Sequence, residues 1–240
     1  MGEYSKVVFG RNRIPSRAII SAGVYFARRK DAFRRVFDYW EKLKGREWIR
    51  YSFARVGGKD YTILFGIYGA AMMLETVQCL RDGGVETIEM VGSMGARRLP
   101  VGSIVIPTSA VDRAGVVSVD DPEAAPASPD QMMLELTRKE LRSRNLPFTE
   151  GKILSVPAVL HGIEHLEASL KRADDIVGHE MEASTLLHFA RKHGIRAGAL
   201  LYVSDNDRHS IIAGSSSVVE ARRWALGKCA SVAVNVLWHL

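Results

Sequence analysis

Two short runs carry the residues of this chain best suited to chemistry: Gly178-His179-Glu180-Met181-Glu182-Ala183 and, downstream, Val203-Ser204-Asp205-Asn206. A carboxylate only accepts hydrogen bonds, and its two oxygens can take both hydroxyls of a vicinal diol. Glu182 therefore suits the 2′ and 3′ hydroxyls of a ribose. An aspartic acid whose pKa is raised by burial can hand a proton to a leaving nitrogen, and that is the chemistry open to Asp205. The same pair has a plainer reading. A glutamate at a helix start favours the helix dipole, and an aspartate after a strand opens a turn.

Such residues need elements to hold them. Glu182 is expected in the first turn of a helix, Ala183–His193, whose Leu186, Leu187, Phe189 and Ala190 point into a core. Asp205 is expected at the end of the apolar strand Ala197–Ser204, and ligands of open α/β sheets bind at the carboxyl ends of strands. Further strands are read at Ala18–Ala22, Glu86–Val91, Ile104–Val111 and Gly151–Val156. Trp48–Val56 and Asp60–Ile67 flank Gly57-Gly58, a hairpin signal. Helices are read at Lys30–Lys44, with Phe33, Val36, Phe37 and Trp40 on one face, and at Ala70–Arg81, Gln131–Arg144, Ile163–Leu170 and Ser217–His239. Glycine turns are read at Gly66–Gly69 and Val91–Ala96, and Asp120–Pro129 is read as a loop. The alternation predicts an α/β fold: one domain over residues 18–240, a central twisted mixed sheet flanked by helices, after an N-terminal extension of residues 1–17.

Composition bounds the function. A chain of 240 residues, 47% apolar, can bury a full core. Its net charge of +6 suits an anionic substrate, but the arginine pairs 28/29, 34/35 and 222/223 are scattered and read as solvated helix faces. No nucleic-acid partner is expected. Cys79 and Cys229 read as buried thiols of a reducing compartment. The polar, basic start and the absence of a long apolar run predict no membrane partner and a cytoplasmic setting. His161 and His165 are four apart, a spacing that can hold zinc on a helix, but no third ligand accompanies them, so no metal is expected.

Taken in order, Val91-Gly92-Ser93-Met94-Gly95-Ala96, Glu180-Met181-Glu182-Ala183 and Val203-Ser204-Asp205 resemble the nucleoside phosphorylase and nucleosidase superfamily over about residues 18–238. The resemblance implies roles. Glu182 takes the place of the ribose-binding glutamate, and Met181 that of the methionine packing on the sugar. Asp205 takes the place of the general acid on the purine side. His179, Asn206, Met94, Gly95 and Val159 fall around the base. Gly23 matches a phosphate-loop glycine, and Ser93 a hydroxyl at the phosphate or water site. A homodimer, or a hexamer built from dimers, is implied as well.

The departures bear on the nucleophile. Phosphorylases of the family carry an arginine just before the Val-Gly-Ser run, where this chain has Met90. They carry a second four residues after the loop glycine, where this chain has Ala27, with Arg28 one place later. A third comes from a hairpin strand, for which Arg50 and Arg55 are the candidates. Related hydrolases place a glutamate in the first loop to activate water, and the stretch after Gly23 has none. The uracil-reading positions fall on Ile163 and His165, which argues against uracil. The expected function is cleavage of the N-glycosidic bond of a nucleoside or nucleotide by phosphorolysis, with inorganic phosphate as co-substrate and no cofactor. Hydrolysis by water, or a ligand-binding relative with little catalysis, are the alternatives.

Overall fold

The computed structural model describes residues 2–23, 26–45, 49–96, 98–158, 175–209 and 214–240. Its elements, in chain order, are α1 (Glu3–Phe9), β1 (Arg17–Ala22), α2 (Phe26–Arg34), β2 (Tyr39–Trp40), β3 (Lys44–Gly45), β4 (Arg50–Val56), β5 (Lys59–Ile67), α3 (Ala70–Asp82), β6 (Thr87–Gly95), β7 (Ile104–Asp112), α4 (Val116–Asp120), α5 (Gln131–Ser143), β8 (Phe148–Ser155), β9 (Ile176–Glu180), α6 (Ala183–Lys192), β10 (Arg196–Asp205) and α7 (Ser216–Trp238). The strands form one mixed sheet in the order β10-β7-β8-β9-β6-β1-β5-β4-β2, with β3 beside β4. Because β10 also pairs with β6, five strands close on themselves: β6, β9, β8, β7 and β10.

Alternation along the central strands sorts side chains into two apolar layers. Met90 and Met94 of β6 and Leu201 and Val203 of β10 pack with α3 and α6 on one face. Val91, Leu200 and Tyr202 pack with α5 and α7 on the other. A sheet buried on both faces reads as a continuous apolar run, which is the reason Ala197–Ser204 was legible as a strand. Glu89 interrupts this pattern. It lies near the start of β6 between Ile19 and Gly198, fully buried, and neither carboxyl oxygen has a partner among the described residues. Burial alone pushes its pKa up to about 8, and a Cβ on Gly198 would fall 2.3 Å from its Oε2.

Several elements differ from the sequence reading. The helix expected over 30–44 stops at Arg34, where the Val36 N–H turns back to the Phe33 carbonyl. Tyr39 and Trp40 then pair with Arg55 and Ala54 as an edge strand. The apolar stripe was real, but Phe37 and Trp40 reach it from a turn and a strand to pack on Tyr61 and Phe65. The run Val91–Gly95, read as a turn, continues β6. Gly92 serves close approach there, since a Cβ would meet Leu201 Cδ2 at 2.9 Å. Gly57 and Gly58 form the expected hairpin turn, both with positive φ. Residues 2–16, read as an extension, dock on the domain. Asp82 accepts the Gly2 and Ser5 N–H groups, and Phe9 packs edge-on against Tyr51. The helix expected at Ile163–Leu170 lies outside the described residues.

Candidate active site

The carboxyl ends of β6, β9 and β10 gather the residues singled out in the sequence. β9 was not foreseen, and it moves Glu182 out of the first helical turn to the position just before α6. A side chain there ordinarily caps its own helix. Glu182 instead reaches across to the β5–α3 junction, where its Oε1 accepts the Gly69 N–H at 2.6 Å. Glu180 does the capping. Its Oε2 accepts the N–H groups of Glu182 and Ala183, both at 2.7 Å, and its Oε1 accepts the Ser155 hydroxyl. Ser155 in turn accepts the Ser184 N–H at 2.8 Å. Glu182 is thus placed by its neighbour's hydrogen bonds to its own backbone. Burial, then the Glu180 charge, push the Glu182 pKa up to about 8. Burial raises that of Glu180 as well. Met181 is buried beside them, its Cε facing Gly69.

On the other side of β6 sits Asp205. Its Oδ1 accepts the Ser204 hydroxyl at 2.6 Å, and the Ser204 carbonyl accepts Arg222 Nε at 2.6 Å. Asp205 Oδ2 and the His179 imidazole converge on Gly95, with buried Met94 next to it. Asn206, expected beside the base, spends its side chain on backbone. Its Nδ2 donates to the Leu99 carbonyl, and its Oδ1 accepts the Arg208 and His209 N–H groups. It organises the turn after Asp205, as asparagine does when its amide mimics a peptide group. Val159 lies outside the described residues, as do Ile163, His161 and His165.

The anion end departs furthest from expectation. Arg28, placed there by sequence, is exposed on α2. Arg29, one residue on, points inward and is 1% exposed. One helical residue is a rotation of about 100°, enough to turn Arg29 into the core and leave Arg28 at the surface. The guanidinium of Arg29 donates to Ser93 Oγ at 3.1 Å, to the Val91 carbonyl and Tyr202 hydroxyl at 3.4 Å, and to Ser21 Oγ at 3.5 Å. Its Nε is buried without a partner, and no carboxylate lies within ion-pair distance among the described residues. Three of these four bonds are long and all go to neutral groups, so the buried charge is poorly compensated. Gly23, matched by sequence to a phosphate-loop glycine, has its N–H bonded to the Ile67 carbonyl at 2.8 Å. What Gly23 supplies is space: a Cβ would sit 2.6 Å from an Arg29 nitrogen.

Beside Arg29 opens a cavity of about 170 Å³, lined by Arg28, Arg222, Arg223, Ser93, Ser204 and Tyr202, and by no carboxylate among the described residues. Arg50 is exposed at the start of β4, opposite Phe65. It is three strands from Ser93, roughly 14 Å at ordinary strand spacing, so the fold does not bring them together. Arg55 is committed elsewhere, in a two-pronged pair with Asp60. Met90 is fully buried in the α3/α6 layer and faces no polar partner. The residues that sequence reasoning missed are Arg29, Ser155 and Tyr202. The signal for Arg29 was present: with Phe33 four residues on, it continues the inward stripe of α2.

Solved structures share this architecture. A uridine phosphorylase from Vibrio fischeri ES114 superposes with a TM-score of 0.85 at 20% identity, covering 95% of this chain and 94% of that one. The same enzyme in complex with 6-hydroxy-1-naphthoic acid superposes with a TM-score of 0.80 at 21% identity, over 94% and 91%. A guanosine phosphorylase from Halorubrum lacusprofundi is 29% identical over 155 residues, and the match spans 64% of each protein. Residues 45–240 match the family model described as Phosphorylase superfamily, and the chain belongs to that superfamily.

Proposed function

We propose that this protein cleaves the N-glycosidic bond of a nucleoside by phosphorolysis, releasing the free base and ribose 1-phosphate. One observation carries the choice of nucleophile. Arg29 is a buried cation with no carboxylate in ion-pair range among the described residues, bonded to Ser93 and bordering a cavity lined with arginines. Inorganic phosphate supplies the missing charge, and Arg29, Ser93 and the cavity's other cations would hold it by charge-assisted bonds. Hydrolysis would need a base there to activate water, and the described lining offers none.

The remaining roles follow from placement. Glu182 accepts the sugar hydroxyls, with Met181 beneath the ring. A phosphate oxygen bonds to C1′ as the C1′–N bond breaks, and the bonding pair leaves with the base. Asp205 delivers a proton to the departing base, so the base leaves neutral. Interactions that tighten as the sugar takes on oxocarbenium character accelerate this step. The names of the relatives, guanosine phosphorylase and uridine phosphorylase, agree with this reading. Assembly into dimers or hexamers fits Arg50, which is exposed at the site end of the sheet yet distant from its own Ser93. The two free, buried cysteines suit a cytoplasmic setting.

The deciding experiment is a nucleoside panel assayed with and without phosphate, products separated by chromatography. Ribose 1-phosphate formed only when phosphate is present is the expected result. Free ribose released at a phosphate-independent rate would overturn it.

A further inference from the structure

The base side holds a residue that the reaction as described leaves unused. β9 meets β6 at one register pair, Gly95 opposite His179. A Cβ at Gly95 would lie 2.6 Å from His179 Cε1, 2.7 Å from its Nε2 and 3.0 Å from Asp205 Oδ2. The imidazole and the carboxyl group therefore converge over the same bare α-carbon. The contact is firmly held, because a Cβ on Gly178 would strike Met94 Cε at 2.0 Å and the Gly95 carbonyl at 2.4 Å. β9 is pressed against β6 at the point where His179 projects.

His179 Nδ1 is buried and has no partner among the described residues. Nε2 is the nitrogen turned toward Gly95 and Asp205. Burial holds the imidazole pKa below its ordinary value, so the ring is neutral at pH 7. A neutral imidazole carries one proton. Orphaned buried N–H groups are rarer than orphaned acceptors, so the unpartnered Nδ1 bears the lone pair and Nε2 bears the proton. The base side then presents two donors side by side: His179 Nε2–H and the proton that Asp205 delivers.

Two adjacent acceptors complement two adjacent donors. The N7/O6 edge of a 6-oxopurine offers that pattern. A 6-aminopurine places an N–H₂ donor beside N7 and would set donor against donor. We propose that His179 is a specificity-determining residue that selects 6-oxopurine nucleosides, of the guanosine and inosine class, over adenosine. The inference rests on the phosphorolytic reading above and deepens it.

The test is kcat/KM for inosine, guanosine, adenosine and uridine at saturating phosphate, for wild type, His179→Leu and His179→Gln. Wild type is expected to favour the 6-oxopurines over adenosine by about 100-fold, since a site built to pair with a polar group rejects the analogue that cannot pair. His179→Leu should shrink that ratio to within about 10-fold through loss on the 6-oxopurines, and His179→Gln, which restores an N–H donor, should recover part of it. A wild-type preference for adenosine or uridine overturns the proposal, as does a His179→Leu variant that slows every nucleoside alike. Calorimetric binding of hypoxanthine against adenine to the wild-type protein tests it without turnover. Tighter hypoxanthine binding supports it even if no nucleoside is phosphorolysed, and equal or tighter adenine binding sinks it.

Discussion

The sugar end and the anion end of the site are built by opposite means. At the sugar end both carboxyl groups are anchored. Glu180 is fixed by two backbone N–H groups and a serine hydroxyl, and Glu182 by the Gly69 N–H and by Glu180. At the anion end Arg29 has four bonds to neutral groups, three of them long, a bare Nε and no carboxylate in ion-pair range among the described residues. The first end is complete before a ligand arrives. The second is completed by its ligand. Preorganised acceptors cost no rearrangement when charge develops on the sugar. An uncompensated cation makes anion binding favourable but leaves the empty protein less stable than it could be.

Three substitutions test that contrast, in descending order of effect. Glu182→Ala should lower turnover by ~100-fold or more, because it removes acceptors whose bonds tighten in the transition state. Steady-state kinetics should show a smaller loss on a 2′-deoxynucleoside. Unchanged rates would remove Glu182 from the sugar site. Arg29→Gln should raise the KM for phosphate by about 10- to 100-fold while the nucleoside KM moves by less than about threefold. Its Tm without phosphate should equal or exceed that of wild type. A fall in Tm with both KM values rising together would make Arg29 a structural residue and erase the contrast.

The smallest effect separates burial from function. Burial pushes the pKa of both Glu89 and Glu182 up to about 8, yet Glu89 has no hydrogen-bond partner among the described residues. A carboxyl group whose pKa is raised on folding favours the folded state fully below its ordinary value of 4.5, and that contribution is lost as pH rises toward 8. Wild-type Tm should therefore decline between those limits. Glu89→Gln should flatten the decline, by on the order of a few kcal/mol across the window, and leave kcat within about twofold. A slope equal to that of wild type would show that Glu89 does not titrate there.

The two ends also differed in how far they could be read from sequence. The sugar clamp lies in one contiguous run, so Glu180, Met181 and Glu182 could be named together. Even so, the strand that delivers them was missed, because Ile176–Glu180 is only five residues long and has no alternation to mark it. The arginines of the anion end depend on the rotation of one helix: sequence pointed to Arg28, which lines the cavity from an exposed position, and missed buried Arg29 one residue on. Glycines misled in the same way. Those of Val91–Gly95 read as a turn because glycine is the usual turn former. Gly92 and Gly95 do not adopt positive φ; they make room for Leu201 and His179. Sequence shows that a glycine is needed. Only the packing shows whether the need is for conformation or for space.

The closed circuit of β6, β9, β8, β7 and β10 has a further consequence, for how the protein behaves in a crowded solution. An unpaired strand edge offers N–H and C=O groups to any extended chain it meets, and is a common starting point for aggregation. Ring closure removes that edge from one end of the sheet. Among the described residues the other end finishes in β2 and β3, two residues each, too short to template a foreign strand. The largest and most apolar part of the fold is thereby shielded from adventitious pairing.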